Sequence, residues 1–231
     1  MGEDSSPEAI VQRAKKSGCR TIAYTYTEPT VFLETSLEVS KNALRDGLKN
    51  VFVTNGYMSE QTLDILRPFL SAANVDLKSF RDEFYKMQCH ARLKPVLDSL
   101  KKMKEMGIWL EVTTLLIPGL NDSRQELEDI AAFIAGLGKE TPWHISRFHP
   151  QYRMLDRPVT PIESLHRARE IGKKTGLKYV YSGNVPGDEG ENTYCANCSN
   201  LLIKRYGYRI IENVLMDGHC PVCGESLEGV F

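Results

Sequence analysis

The sequence predicts an α/β fold with a mainly parallel sheet, followed by a small four-cysteine module. Three observations lead there. Apolar runs rich in Val, Ile, Tyr and Thr alternate with helical patterns. Polar or turn-forming clusters recur at the C-terminal ends of those runs. Four of the six cysteines gather in two tight pairs near the C-terminus.

The strand-like runs are Thr21–Tyr26, Asn50–Thr54, Asn74–Leu77, Trp109–Leu116, Trp143–Phe148 and Lys178–Tyr181. Several are apolar almost throughout, as strands buried on both faces are. Helices are expected between them. Pro7–Ser17 follows a Ser5-Ser6-Pro7-Glu8 start with capping residues and an early proline. Leu33–Asp46 stops at Gly47, and Glu60–Phe69 follows Ser59. Lys94–Met106 stops at Gly107, Arg124–Leu137 follows Asn121-Asp122-Ser123, and Ile162–Thr175 stops at Gly176. Such alternation marks a (β/α) barrel or a doubly wound sheet. The order opens with a helix, whereas a β-α-β unit needs a strand before it. Either that helix is a decoration or a strand belonging to the sheet lies upstream.

Ser182 to Gly190 is polar and reads as a linker. From Asn192 onward the pattern changes to short strands and paired cysteines, so the expected division is 1–191 for the barrel portion and 192–231 for the module. Cys195-Ala196-Asn197-Cys198 and Cys220-Pro221-Val222-Cys223 are two Cys-x2-Cys knuckles with 21 residues between them. That spacing is close to a structural zinc ribbon, with Cys195, Cys198, Cys220 and Cys223 as ligands to zinc or to a mononuclear iron. Leu201–Arg205 and Tyr208–Ile211 read as short strands around Gly207. His219 adjoins a ligand and reads as a neighbour. Two reduced core pairs or disulfides are the alternative, the disulfides disfavoured in the reducing cytoplasm that the polar N-terminus suggests.

With 29 Lys and Arg against 30 Asp and Glu, the net charge of -1 offers no footprint for nucleic acid and none for an anionic membrane surface. No apolar run approaches the roughly 18 residues of a membrane span. The 231 residues suffice for one sizeable domain plus a small module.

The strand-end clusters are Tyr26-Thr27-Glu28-Pro29, Thr54-Asn55-Gly56, Asp76-Leu77-Lys78, Ile117 to Asp122, and Phe148-His149-Pro150. Each has a plain reading: a loop acid, a turn, a helix cap, a surface lysine, a rim histidine. Their shared position is what counts, because both barrels and open sheets assemble ligand sites at the carboxyl ends of their strands.

The strings Tyr24-Thr25-Tyr26-Thr27-Glu28-Pro29, Val51 to Tyr57, Val75-Asp76-Leu77-Lys78 and Leu116 to Asp122, in that order, resemble the radical S-adenosylmethionine superfamily. They are similar to its pyruvate formate-lyase activating enzymes, and most similar to the AmmeMemoRadiSam-system radical enzymes. The resemblance runs from Pro7 to Phe231. It implies a TIM-like barrel, here partial and lacking its first strand, and binding of S-adenosylmethionine. Where the family has a Gly-Gly-Glu-Pro type motif for the ligand's ammonium, this chain has Tyr26-Thr27-Glu28-Pro29, with acid and proline kept and the glycines replaced. The resemblance further implies that Thr27 and Glu28 meet the ammonium and that Thr54 and Asn55 line the methionine and ribose side. Asp76 takes the ribose, Lys78 the carboxylate or ribose, and His149 the adenosine end.

The family's chemistry uses a [4Fe–4S] cluster on a Cys-x3-Cys-x2-Cys loop after the first strand. No such motif occurs among these residues: Cys19 and Cys89 stand alone. The expectation is that a longer parent protein carries the cluster. That parent would need an electron donor and would abstract hydrogen through a 5′-deoxyadenosyl radical from a substrate, a protein among the candidates. The present chain would then be silent. Two alternatives remain at this point. One is a metal-stabilised binding or assembly module. The other is an ordinary α/β barrel enzyme using Glu28, Lys78 and His149 as acid–base groups.

Overall fold

In a computed structural model describing residues 5–229, the chain is an α/β protein. Its elements begin with α1 (Pro7–Lys16), β1 (Thr21–Tyr24), α2 (Leu33–Arg45), β2 (Lys49–Thr54), α3 (Glu60–Leu66) and β3 (Leu70–Asp76). They continue with the short α4 (Asp82–Phe84), α5 (Leu93–Glu105), β4 (Trp109–Leu116), α6 (Arg124–Leu137), β5 (Trp143–Arg147), α7 (Ile162–Lys174) and β6 (Val180–Gly183). These six strands form a parallel sheet in the order β1-β2-β3-β4-β5-β6. Strand order follows chain order without reversal, which is barrel winding rather than doubly wound topology. Two compact units divide the chain: Met1–Leu77 with Arg92–Glu111, and Lys78–Ala91 with Val112–Phe231.

The first unit is built on β1, β2 and β3, in register from Thr21 opposite Lys49 and from Asn50 opposite Leu70. Phe52, Val75, Leu63, Leu100 and Met103 are buried. One polar residue organises this core. Asn50, fully buried, donates through Nδ2 to the carbonyls of Ser40 and Phe69, and its Oδ1 accepts from Tyr24 Oη, all at 3.0 Å. Buried amides survive in a core only when satisfied in this way. Ser6 caps α1 by accepting from Ala9 N–H, and Lys15 and Gln12 reach Asp46 at the end of α2. Lys15 also forms an ion pair there at 3.0 Å.

In the second unit β4, β5 and β6 carry the sheet, and α6 and α7 cover it with Leu127, Ile130, Ile134, Leu165 and Ala168, all fully buried. Trp143 is fully buried, and its indole N–H donates to Thr114 Oγ1 at 3.0 Å. A three-stranded antiparallel sheet closes the chain: β7 (Thr193–Tyr194), β8 (Leu201–Tyr206) and β9 (Arg209–Asn213). Its small core is Cys195, Leu202, Ile203 and Cys220, with Val214, Leu215 and Leu227 packed against it.

Several boundaries depart from the sequence reading. The helix expected over Glu60–Phe69 ends at Leu66, and β3 starts at Leu70 rather than Asn74. Pro68 has no N–H to continue the helical ladder. The last large strand covers Val180–Gly183, so Ser182 and Gly183 belong to the sheet and not to the linker. Gly183 lies opposite Ser146, and a Cβ there would come within 2.7 Å of Ser146 Oγ. A glycine inside a strand here marks close approach, not a loop. The rest of that stretch contains a 3₁₀ turn, Glu189–Glu191. Finally, α4 runs into a π-helical turn, Tyr85–Cys89, which ends at His90 in the left-handed region with φ 51°. The sequence reading had no element there. Among the described residues no helix is long and apolar enough to cross a membrane.

Candidate functional site

In the first unit, the chain leaving β1 turns through Tyr26, whose φ is 61°, and then presents Glu28. Glu28 is held by the end of β2. Its Oε1 accepts from Thr54 Oγ1 at 2.6 Å and from Thr30 Oγ1 at 3.3 Å, while Oε2 accepts from Asn55 N–H at 2.8 Å. Thr54 is buried, and its own oxygen accepts from Gly56 N–H at 3.1 Å. The turn requires glycine at 56, where φ is +70° and a Cβ would lie 2.6 Å from Val75. Thr54-Asn55-Gly56 is therefore more than a connection: it delivers a hydroxyl and an N–H to one carboxylate. A carboxylate has about four acceptor sites, so three donors leave one on Oε2 for a ligand cation. Asp76 ends β3 and is half-buried. Thr27 does not join this set. It is exposed, and its hydroxyl donates to the Tyr26 carbonyl at 2.8 Å. The Asn55 side chain serves its own turn, its Oδ1 accepting from Tyr57 N–H.

In the second unit, Lys78 begins a strap of residues fastened on both sides. Its N–H donates to Tyr85 Oη at 3.1 Å, and its carbonyl accepts from Asn121 Nδ2 at 2.6 Å. The next residues are tied to Glu126 on α6, whose Oε1 accepts from Ser79 Oγ at 2.6 Å and Phe80 N–H at 2.5 Å. Arg81 pairs with Glu126 at 3.3 Å and with Asp129 at 2.7 Å. Arg81 offsets the desolvation of Asp129, whose pKa is lowered on balance. His149 is exposed on the loop after β5. That loop is anchored beside it by Phe148 N–H donating to Thr160 Oγ1 at 3.0 Å.

Glu126 escaped the sequence reading. Ser123-Arg124-Gln125-Glu126 has the spacing of a capping box, which keeps its acid local and solvated. Ser123 does cap the helix, accepting from Glu126 N–H, but the Glu126 side chain is only 2% exposed and turns to the strap. Tyr85 gave no signal at all, since nothing in the sequence marked the π turn that buries it.

The four cysteines of the ribbon come together, with all Sγ atoms within 4.8 Å of one another. The pairs Cys195–Cys223 and Cys198–Cys220 are 3.5 and 3.6 Å apart. The two knuckles repeat one hydrogen-bond pattern. Cys195 N–H donates to the Asn200 carbonyl and Ser199 N–H to the Cys195 carbonyl; Cys220 N–H donates to Glu225 and Gly224 N–H to Cys220. Ser199 and Gly224 occupy the equivalent left-handed position, with φ 61° and 75°. The Asn200 N–H favours the Cys198 thiolate, yet desolvation and the three neighbouring sulfurs push that thiol up to about 12. Cys223, assisted chiefly by the Glu225 N–H, falls to about 7. Four sulfurs this close are arranged to share one cation, and a coordinated metal would deprotonate the thiols. The spacing and geometry suit a four-coordinate metal ion, with sulfur near 2.3 Å from a central zinc in sites of this kind. Cys19 is exposed and Cys89 half-buried, each apart from this group.

The radical SAM superfamily model matches residues 2–134, more than half of the chain and the stretch that carries Glu28, Thr54, Asn55, Asp76 and Lys78. The chain belongs to the radical SAM superfamily. Across its whole length it is similar to an uncharacterized protein of Methanocaldococcus jannaschii, 47% identical over 231 residues, covering 99% of this chain and 68% of that protein. It is also similar to an isethionate sulfite-lyase activating enzyme of Nitratidesulfovibrio vulgaris, 29% identical over 128 residues, covering 53% of this chain and 41% of that enzyme. Among solved structures, a domain of a pyruvate-formate lyase-activating enzyme from Bacteroides vulgatus shares the fold, with a TM-score of 0.63 at 18% identity over 71% of this chain and 98% of that one.

Membership implies S-adenosylmethionine and an iron–sulfur cluster. The polar groups at the strand ends of the first unit fit the first: a fixed carboxylate for a cation and a second acid. The cysteines do not fit the second. The superfamily loop needs three closely spaced thiolates, and these 231 residues supply only the solitary Cys19 and Cys89 outside the ribbon. No step through such a cluster follows from the residues present.

Proposed function

We propose that this radical SAM chain is the S-adenosylmethionine-binding and ribbon-bearing portion of an AmmeMemoRadiSam-type radical enzyme, similar to glycyl-radical activating enzymes. Glu28 carries the reading. A carboxylate pinned by Thr54 and Asn55 with one acceptor site open is suited to an ammonium. In the first unit Thr27 would stand with Glu28 at the ammonium, its backbone rather than its hydroxyl facing the ligand, Thr54 and the Asn55 backbone would line the methionine and ribose side, and Asp76 would take the ribose hydroxyls. In the second, Lys78 would meet the carboxylate and His149 the adenosine end. Residues 192–231 would form a separate module in which Cys195, Cys198, Cys220 and Cys223 hold one structural zinc. Cysteines that bind metal rather than pair as disulfides would suit a cytoplasmic setting. The activating-enzyme relatives support a protein substrate for the full-length enzyme, with an electron donor feeding a cluster whose ligands lie outside these residues.

Calorimetric titration of the chain with S-adenosylmethionine tests the binding reading. Saturable binding is expected, and Glu28→Gln should weaken it at least tenfold, the order of a lost charge-assisted hydrogen bond of about 1.5–3 kcal/mol. Equal affinity in the variant would remove Glu28 from the site. Incubation with dithionite should yield no 5′-deoxyadenosine. Its appearance by mass spectrometry would show that the chain completes the chemistry alone.

A further inference from the structure

The backbone at Lys78 is fixed more completely than a loop needs for its own stability. Its N–H donates to Tyr85 Oη, and its carbonyl accepts from Asn121 Nδ2. Asn121 is 1% exposed and uses its remaining groups on Ile117 N–H at 2.7 Å and the Leu115 carbonyl at 2.9 Å. One amide thus locks Lys78 to the end of β4. One residue further on, Ser79 Oγ and Phe80 N–H converge on buried Glu126, and Ser79 Oγ accepts in turn from Arg81 N–H at 3.0 Å. Packing of Phe80 on Phe133, with ring centroids 5.7 Å apart, completes the seat on α6. A buried carboxylate is costly unless its lone pairs are satisfied. Here an acid of a long helix is spent on the three residues that follow a lysine, Ser79, Phe80 and, by an ion pair at 3.3 Å, Arg81, and not on its own helix cap.

We propose that Asn121 and Glu126 are positioning residues for Lys78, setting where its ammonium stands when an anionic group of the ligand arrives. The inference rests on the reading above that Lys78 meets S-adenosylmethionine. Asn121 fixes Lys78 from its carbonyl side, while Glu126 fixes the three residues that follow, so the Cα–Cβ direction of Lys78 is determined by the second unit. Neither residue touches the ligand. Their contribution is preorganisation: an ammonium on a flexible stem gains affinity when its anchor has nothing left to order.

A double-mutant cycle on the full chain tests it, with S-adenosylmethionine affinity read by calorimetry and folding by thermal melts. Asn121→Asp keeps the acceptor for Ile117 N–H and loses both donated bonds. Lys78→Met removes the ammonium and keeps the stem. Lys78→Met should weaken binding about tenfold, and Asn121→Asp about fivefold, with little further loss when the two are combined, because coupled residues are non-additive. Ser79→Ala, which removes one bond to Glu126 without stranding a buried charge, should show the same dependence on Lys78 and serves if Asn121→Asp fails to fold. If Asn121→Asp and Ser79→Ala weaken binding as much in the Lys78→Met background as in the wild type, they act on the fold and the inference is wrong. If Lys78→Met leaves the affinity unchanged, the assignment of Lys78 itself is wrong, and with it this inference. No binding by the wild-type chain would overturn the whole reading.

Discussion

The two candidate sites are built on opposite plans. The ribbon draws its four thiols from two knuckles of four residues, each closed by its own backbone hydrogen bonds. At the strand ends, Glu28 meets two of its three donors 26 and 27 residues further along the chain, and Lys78 meets Asn121 43 residues away. The knuckles are therefore local in geometry, although the ribbon they belong to is tied to the second unit by Tyr179 bonding Glu228 and Tyr181 bonding Thr193, whereas the strand-end groups depend on the sheet that aligns them. Removing metal should damage the first and spare the second, and damaging the sheet should do the reverse.

Metal removal is the largest effect expected. The ribbon core among the described residues amounts to Cys195, Leu202, Ile203 and Cys220 plus three partly buried neighbours. That is too little apolar surface for a module of this size to hold alone. A structural zinc contributes roughly 10–16 kcal/mol of apparent folding free energy in small ribbons. Exhaustive chelation, or Cys220→Ser, should unfold residues from about 193 onward, seen as lost amide protection in hydrogen exchange there and retained protection in β1 to β3. Unaltered protection of β8 after metal removal would mean that the ribbon stands on packing.

A smaller effect is expected from the converse test. Asn50→Ala deletes three hydrogen bonds from the first unit's interior, while Tyr24 Oη keeps its bond from Ser40 Oγ. At about 0.5–1.5 kcal/mol for each hydrogen bond lost, the sum should approach 3 kcal/mol. It should appear in denaturant melts of the first unit, with the ribbon's amide protection unchanged. A loss below 1 kcal/mol would mean that water replaces the amide and that the hub is not what aligns β1 with β2.

The same contrast decides what could be read from sequence. The cysteine knuckles were legible because a ligand set with local spacing is its own signal. The order of strands and helices was legible because apolar runs and capping residues are local too, and the parallel six-stranded sheet followed. Strand limits were not. Gly183 looks like a linker glycine until Ser146 is found beneath it, and Pro68 moved β3 four residues earlier. The acid at Glu28 stood out, but that Thr54 and Asn55 hold it could not be seen without the pairing of β1 with β2. Glu126 was concealed by a local pattern, the capping spacing, that the fold overrode. Short-range signals sufficed wherever the partners are near in sequence and failed where the tertiary fold chose them.

The smallest prediction compares one backbone conformation in both regions. Tyr26 at the strand ends and Ser199 in the first knuckle both sit at φ 61°, and the second knuckle uses Gly224 at that place. A left-handed conformation costs a residue with a Cβ roughly 1–2 kcal/mol, part of which glycine returns as greater freedom in the unfolded chain. Ser199→Gly should therefore stabilise the ribbon by about 0.5–1 kcal/mol and do nothing else, since the partner knuckle already shows glycine in the same hydrogen-bonded turn. Tyr26→Gly should relieve similar strain, raising the midpoint of the first unit in urea, but its ring is wholly exposed beside Glu28 and packs on nothing that would be lost. If the variant gains stability and keeps its affinity for S-adenosylmethionine, Tyr26 is tolerated strain. A gain in stability with a loss of affinity would make the strained tyrosine part of the ligand site, held in an unfavourable backbone state because the ring is needed over the bound cofactor.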